Sequence, residues 1–270
     1  MKVAYTGWTW LINHNDNHKW EFEQFLKEVA DLRYQAVENF AFITKYFDNN
    51  ADEVKALLEK YKLEMANLYL HLSEDAEADL KAAKEYIEFM KKIGATYMNL
   101  QAIMWGEPPH DRPIDKAAVL DYAKRSNAIG KLCMENGIKA CFHPHANTNI
   151  YTEEELDLFV ANTDPSCVFL CLDTAHTVIG GMCPVAAFDK YASRLAYVHF
   201  KDVDPTVDPQ NQMHRFRPLG VGTVDFKGIY NVLVKNGYDG IICVELDSQP
   251  VCNYKSAMIS RDYLHNTLGL

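Results

Sequence analysis

The chain has 270 residues, 48% of them hydrophobic and 24% charged, which excludes a disordered segment and leaves room for one large core. Lysine and arginine number 27 against 37 aspartates and glutamates, a formal charge of −10; a surface of that sign repels phosphate backbones and anionic lipid, so neither nucleic acid nor a membrane is an expected partner. The start, Met-Lys-Val-Ala-Tyr-Thr-Gly, has no charged leader before an apolar stretch, and no apolar run reaches the roughly 18 residues of a membrane span, so a cytoplasmic protein is expected.

Short β-like runs alternate with longer helical patterns. The first run begins near Val3 and is followed by Phe22, Phe25, Leu26, Val29 and Leu32 at helical spacing. The second begins near Ala36, ahead of Val54, Leu57, Leu58 and Tyr61. A third begins near Glu64, and the helical stretch Glu74 to Lys92 then sets Leu80, Ala83, Ile87 and Met90 on one face. The fourth, near Tyr97, precedes Leu120, Ala123, Ala128 and Leu132, with a stop at Asn136-Gly137. After the fifth, near Ala140, Thr152 followed by Glu153, Glu154 and Glu155 reads as an N-cap with an acidic first turn. The sixth, seventh and eighth begin near Val168, Leu195 and Gly240, and helices over Phe226 to Asn236 and Ser256 to Leu268 close the chain.

Several of these runs, such as Val168 to Leu172 and Ile241 to Val244, are apolar throughout, as strands are in a parallel sheet covered by helices. Eight β-then-α units predict a (β/α)₈ TIM barrel, a single domain over residues 1–270. A dinucleotide fold would need G-x-G-x-x-G after the first strand, where Gly7-Trp8-Thr9-Trp10 stands instead. Gly220-Val221-Gly222 comes late and is weak evidence for phosphate binding. The seven cysteines are odd in number and form no C-x-x-C pair, so free thiols, several of them in the core, are expected.

Active-site residues of such barrels sit at the C-terminal ends of the strands. Strand five ends in His143-Pro144-His145, strand six in Asp173-Thr174-Ala175-His176, strand seven in His199-Phe200-Lys201-Asp202 and strand eight in Glu245-Leu246-Asp247. Four adjacent strands that each close on a histidine or carboxylate converge on one point when the barrel closes. His143, Asp173, His199 and Glu245 are therefore the candidate metal ligands. Two imidazoles argue against Ca²⁺ and Mg²⁺, whereas Mn²⁺, Co²⁺, Zn²⁺ or Fe²⁺ suit the set.

Around that centre, His145 shares the face of His143 and is a candidate either for the substrate or for a supporting hydrogen bond. Lys201 shares the face of His199, where it would donate a proton or steady an oxyanion; the alternative is a surface ion pair with Asp202 or Asp204. Glu38, at the end of strand two, is a candidate for a substrate hydroxyl or a neighbouring arginine, and His71 is equally open. Trp8, Trp10 and Trp105 follow strands one and four, where rings pack on a sugar or cyclitol face or cap the core. Arg215 and Arg217, in the loop after strand seven, are candidates for substrate oxygens or are solvated charges.

From about Gly137 to Asp247 these motifs, with Thr163-Asp164-Pro165 and Pro218-Leu219-Gly220-Val221-Gly222-Thr223-Val224-Asp225-Phe226, resemble the xylose-isomerase-like TIM-barrel superfamily of sugar phosphate isomerases/epimerases and inosose dehydratases, and the inosose dehydratase branch in particular. The resemblance implies Mn²⁺ or a related ion held by a strand-five Glu, then an Asp, a His and a Glu. Asp173, His199 and Glu245 match the last three, and His143 departs from the first. It also implies substrate contacts from His176 and an arginine of the strand-seven loop, a small carbohydrate or cyclitol as partner, and homo-oligomers as a common state.

A histidine bound to metal through one nitrogen usually carries its proton on the other and is a poor base. Glu245 is then the main base, which suits β-elimination from a keto-cyclitol or keto-sugar, with His145, His176 or Lys201 as proton donor. The alternative is a sugar isomerase or epimerase, with His145 as second base. A sugar-binding barrel without activity and a metal-dependent nuclease are further alternatives; the charge of −10 opposes the last.

Overall fold

The computed structural model describes residues 1–11, 18–104, 112–207, 215–248 and 252–270. Eight parallel strands close into a barrel: β1 (Lys2–Thr6), β2 (Ala36–Phe40), β3 (Glu64–His71), β4 (Tyr97–Gln101), β5 (Lys139–Phe142), β6 (Val168–Asp173), β7 (Leu195–Phe200) and, after a two-stranded ribbon of β8 (Asp202–Val203) and β9 (Phe216–Arg217), β10 (Ile241–Val244). The strands follow one another around the barrel in chain order, and β10 pairs with β1 to close it. The expected (β/α)₈ fold is present, with each strand within a residue or so of its expected start.

The helices are α1 (Trp8–Leu11), α2 (His18–Asp31), α3 (Ile43–Tyr46), α4 (Ala51–Tyr61), α5 (Ala76–Ile93), α6 (Lys116–Glu135), α7 (Glu153–Ala161), α8 (Thr174–Ile179), α9 (Pro184–Lys190), α10 (Phe226–Lys235) and α11 (Asn253–Tyr263). Their ends follow local chemistry. Thr152 and Glu155 form a reciprocal capping box at the start of α7, each satisfying a backbone N–H that the helix leaves open. Beyond α6, Gly137 takes a φ of +73°, a conformation that only glycine adopts cheaply. The connection after β6 holds two short helices separated by Gly180 and Gly181, with Pro184 opening the second. Neither is long enough to show a helical period, and the sequence pattern does not reveal them. Among the described residues no helix is long and apolar enough to cross a membrane.

Strand alternation separates two environments. Ala140 and Phe142, Leu170 and Leu172, Val198 and Phe200, and Ile242 and Val244 belong to the main apolar cluster shared with the helices. Phe142 meets Phe159 of α7 with ring centroids 4.0 Å apart, and Phe200 meets Phe226 of α10 at 5.1 Å. The alternate residues Cys141, Cys171, Tyr197 and Cys243 form a second, smaller cluster inside the barrel. Two residues beyond these cysteines, on the same inward face, stand His143, Asp173 and Glu245.

Gly130, in the middle of α6, lies against the entry to β6. A Cβ there would sit 2.5 Å from the Cys167 carbonyl oxygen and 3.0 Å from Val168 Cγ2. Helix propensity alone favours alanine at this position by about 1 kcal/mol, but a clash with backbone cannot be relieved by a rotamer change and overpacking costs about 1–3 kcal/mol. Gly130→Ala is expected to lower stability in urea unfolding; a gain would show that α6 can move away from β6.

Candidate active site and metal centre

At the C-terminal end of the barrel a cavity of about 430 Å³ opens, lined by Trp8, Phe40, Tyr69, His71, Gln101, Met104, His145, Asn147, His176, Arg215, Phe216, Glu245 and Asp247. At its floor, one donor atom from each of His143, Asp173, His199 and Glu245 lies within 4.8 Å of the other three. All four side chains are buried. The sequence-chosen quartet is therefore brought together, and Glu245 is the member that also lines the cavity.

The orientation of each member follows from the atom it has already committed. Asp173 caps α8: its Oδ1 accepts from the backbone N–H of Ala175 at 2.7 Å and of His176 at 2.9 Å, which leaves Oδ2 for the centre. His143 Nδ1 lies 3.1 Å from the Cys171 carbonyl, so it carries the ring proton and Nε2 is left with a lone pair. His199 Nε2 lies 2.9 Å from Glu38 Oε2, which leaves Nδ1. His143 Nε2, Asp173 Oδ2, His199 Nδ1 and Glu245 Oε2 are all buried without a well-angled hydrogen bond. His199 Nδ1 stands 2.8 Å from Glu245 Oε2 and 3.8 Å from Asp173 Oδ2. Buried polar atoms are almost always satisfied; these four converge on one point, where the two oxygens meet the cationic groups of Lys201 and His199, and a divalent cation fits there. Two nitrogens and two oxygens are the donor set of a transition ion rather than of Ca²⁺ or Mg²⁺.

The electrostatics agree. Burial pushes the Asp173 carboxyl up to about 6, with Lys201 opposing the rise. Burial also acts to raise Glu245, but His199 and Lys201 outweigh it and hold this carboxyl well below its ordinary value. Burial acts to lower His199, and Cys171, Glu245 and Glu38 together outweigh it, holding that ring well above its ordinary value. The point between these residues attracts positive charge. His143 is kept neutral by burial and by its histidine neighbours, with a lone pair ready for a cation, whereas the extra proton that the carboxylates favour on His199 is one that a bound cation would displace.

Lys201 has no exposure to solvent, so the surface ion pair with Asp202 or Asp204 is corrected. Its Nζ lies 3.1 Å from both Asp173 Oδ2 and Glu245 Oε2, 2.9 Å from Asp247 Oδ1 and 2.9 Å from His176 Nε2. It sits behind the cavity wall and reaches the cavity through His176 and Asp247. His145 and His176 line the cavity with ring centroids 3.7 Å apart, and burial is the main cause that lowers both, His145 to about 4.

The remaining candidates separate. Trp8 lines the cavity beside Phe40, centroids 4.8 Å apart, whereas Trp10 is buried against Tyr5 and Phe25. Trp105 lies outside the described residues. Arg215 lines the cavity and Arg217 does not; Arg217 Nη1 donates to the Phe216 carbonyl. Glu38 is corrected: it lies below the cavity floor with no solvent exposure and does not face substrate space. Phe40 and Tyr69 were not anticipated. Both lie on strands β2 and β3, their rings stacked at 4.9 Å, and with Trp8 and His71 they make one cavity wall aromatic. Their signal was aromatic residues near the ends of two strands.

Asp202, beside Lys201, holds the neighbouring loop. Its two oxygens accept from the backbone N–H groups of Val203, Gly220, Gly222 and Val224 at 2.8–3.1 Å. The late Gly220-Val221-Gly222 segment thus wraps a carboxylate of its own chain, not a phosphate.

A profile of the family described as Xylose isomerase-like TIM barrel matches residues 26–262. The chain is 36% identical over 251 residues to an inosose dehydratase of Clostridium tetani, covering 85% of this chain and 83% of that protein. Its fold is similar to the IOLI protein crystallised with a binding zinc atom, at a TM-score of 0.78 and 15% identity over 98% of this chain and 97% of that one. It is also similar to a D-allulose 3-epimerase from Methylomonas sp., at 0.79 and 17% over the same shares.

Lys201 is the one cation shared by Asp173, Glu245 and Asp247 among the described residues. Lys201→Met strips that cation from carboxylates in a dry site, and removing one partner of a buried pair costs about 3–5 kcal/mol. The expected outcome is a loss of that order in urea unfolding of the metal-free chain, part of it recovered by adding a divalent cation that binds only the folded state. Unchanged stability would mean the carboxylates do not depend on Lys201.

Proposed function

This chain belongs to the xylose isomerase-like TIM barrel family, and from that premise we propose that it is a metal-dependent lyase that removes water from a keto-cyclitol such as inosose, with Mn²⁺ as its ion. The reading rests on one observation. Glu245 is the single carboxylate that belongs both to the four-residue centre and to the cavity wall, while strand five contributes His143, whose Nδ1–H is spent on the Cys171 carbonyl. That leaves one carboxylate base where two-sided epimerisation needs two bases. The 36% identical relative, an inosose dehydratase, supports the same substrate class.

A divalent ion held by His143, Asp173, His199 and Glu245 supplies Lewis acidity toward the substrate ketone, which makes the neighbouring C–H more acidic. Glu245, ionised at ordinary pH, removes that proton. The partners of the three candidate donors choose among them. Neutral His145 has its Nδ1 against the Ala146 carbonyl, so its Nε2 only accepts. Lys201 does not line the cavity. His176 receives a hydrogen bond from Lys201 on Nε2 at 2.9 Å and therefore carries its proton on Nδ1, which has no partner.

His176 Nδ1–H passes its proton to the departing hydroxyl, and Lys201 replaces it at Nε2. Lys201 Nζ is 3.1 Å from Glu245 Oε2 and recovers its own proton from the Glu245 carboxyl. The net change is the loss of one water with all three charges restored, and His176 returns from its Nε2–H to its Nδ1–H form before the next turnover. Glu245, Lys201 and His176 form one connected side of the site, so proton and hydroxyl leave from the same face of the ring. Trp8, Phe40 and Tyr69 cover its C–H face. The seven free thiols, five of them buried, fit a reducing cytoplasm.

A second reading, ketose or inosose epimerase, is favoured by His145, which lines the cavity and whose Nδ1–H is spent on the Ala146 carbonyl, leaving Nε2 as an acceptor. One experiment separates them. Mn²⁺-loaded enzyme is expected to convert inosose to an enone or dione that absorbs in the ultraviolet, with loss of deuterium from an alpha-deuterated substrate. Glu245→Gln and His176→Asn are each expected to lower kcat by about 10²–10⁴-fold, the usual worth of a general base or acid. Solvent exchange of the alpha proton with inversion and no water loss would replace the lyase with the epimerase.

A further inference from the structure

Glu38 is a carboxylate with no solvent exposure that neither lines the cavity nor supplies a donor atom to the four-residue centre. A buried charge is costly unless its bonds are made, and all of its bonds converge on one oxygen. Oε2 accepts from His199 Nε2 at 2.9 Å, from Asn67 Nδ2 at 2.7 Å and from Asn99 Nδ2 at 3.3 Å. Asn67 is itself held, since its Oδ1 accepts the backbone N–H of Asn99 at 3.1 Å. Three neighbouring strands, β2, β3 and β4, thus build a rigid acceptor across the barrel from β7.

We propose that Glu38 is a positioning residue for the metal centre, fixing His199 with its proton on Nε2 and strengthening Nδ1 as a donor toward the divalent ion. The inference rests on reading the four residues as a metal centre. With a cation at the centre in place of a proton, an acceptor opposite Nε2 leaves the lone pair on Nδ1, the atom that stands 2.8 Å from Glu245 Oε2 and 3.8 Å from Asp173 Oδ2. His143 has the same arrangement with a neutral acceptor, the Cys171 carbonyl. The two ligands therefore differ in kind. A carboxylate behind an imidazole raises its basicity more than a carbonyl does, which makes His199 the stronger nitrogen ligand.

Glu38 Oε1 has no partner. In Glu38→Gln the amide oxygen can take the place of Oε2 and keep all three hydrogen bonds while the NH₂ takes the place of Oε1. The substitution removes charge and leaves the acceptor. The test is a Co²⁺ titration of wild type and Glu38→Gln, followed by visible absorption and by competition with a chromogenic chelator, with thermal melting of both metal-free chains to establish that each is folded.

The expected result is a folded variant that binds Co²⁺ about 10–100-fold more weakly, with a shifted visible band. Affinity and spectrum equal to wild type would overturn the proposal. Should Glu38→Gln fail to fold, Glu38→Asp, which keeps the charge but draws it back by one methylene, is expected to show the same weakening, and wild-type affinity and spectrum there would equally overturn it. A wild-type chain that takes up no Co²⁺ overturns the metal centre itself, a failure distinct from equal binding by both chains.

Discussion

Asp173, Glu245 and Asp247 share one ammonium, that of Lys201, at the C-terminal end of the barrel, and the rest of the site is arranged around this balance of charge. At an effective dielectric of about 20, two unit charges roughly 4 Å apart interact by about 4 kcal/mol, while the cost of drying each ion is several kcal/mol. A single pair would not stabilise the fold. A cation shared by three carboxylates, inside a barrel whose outer faces bury a continuous apolar cluster, is tolerated because the core supplies the stability. The consequence is chemical. With base and ammonium both dry and 3.1 Å apart, a proton can be handed on without passing through solvent.

Backbone and site chemistry use the same atoms. Asp173 closes the exposed N–H groups of α8 with one oxygen and faces the centre with the other, so helix formation fixes the carboxylate's direction. Thr174 Oγ1 donates to the Lys201 carbonyl at 2.6 Å and accepts from the Lys201 N–H at 2.9 Å, locking the end of β6 to the residue that carries the ammonium. Asp202 holds the loop that follows β9. Sites built on rigid elements hold their geometry better than sites built on loops, and the segment after β9 is tied to Asp202 by the backbone N–H groups of Gly220, Gly222 and Val224.

The metal quartet was legible because each member follows an apolar run at an inward position two residues beyond another inward residue, as Asp173 follows Cys171. What alternation cannot report is depth. Glu38 has the right parity but is the third residue of β2, two before its end, so it meets His199 from below instead of meeting substrate. Lys201 was ambiguous because Asp202 and Asp204 adjoin it in sequence, yet its true partners come from β6 and the segment after β10. Arg215 and Arg217 are two apart, and β9 begins between them; only the first reaches the cavity. The tautomers of His143, His176 and His199 depend on a carbonyl, an ammonium and a carboxylate distant in the chain, and no local pattern encodes them.

A histidine rather than a carboxylate after strand five sets more than the count of bases. Three carboxylates around a divalent ion, with Glu38 close behind, would carry a net negative charge in a site where Lys201 is already committed to Asp173, Glu245 and Asp247. A neutral imidazole keeps the sum near balance, and its Nδ1–H needs only a backbone carbonyl, which the Cys171 position of β6 supplies. The centre is thereby held by residues whose other atoms are all occupied, save Glu245. Its carboxylate is the one that meets both the centre and the cavity, and that asymmetry is what inclines the pocket toward taking a proton from one side of a ring and returning none to the other.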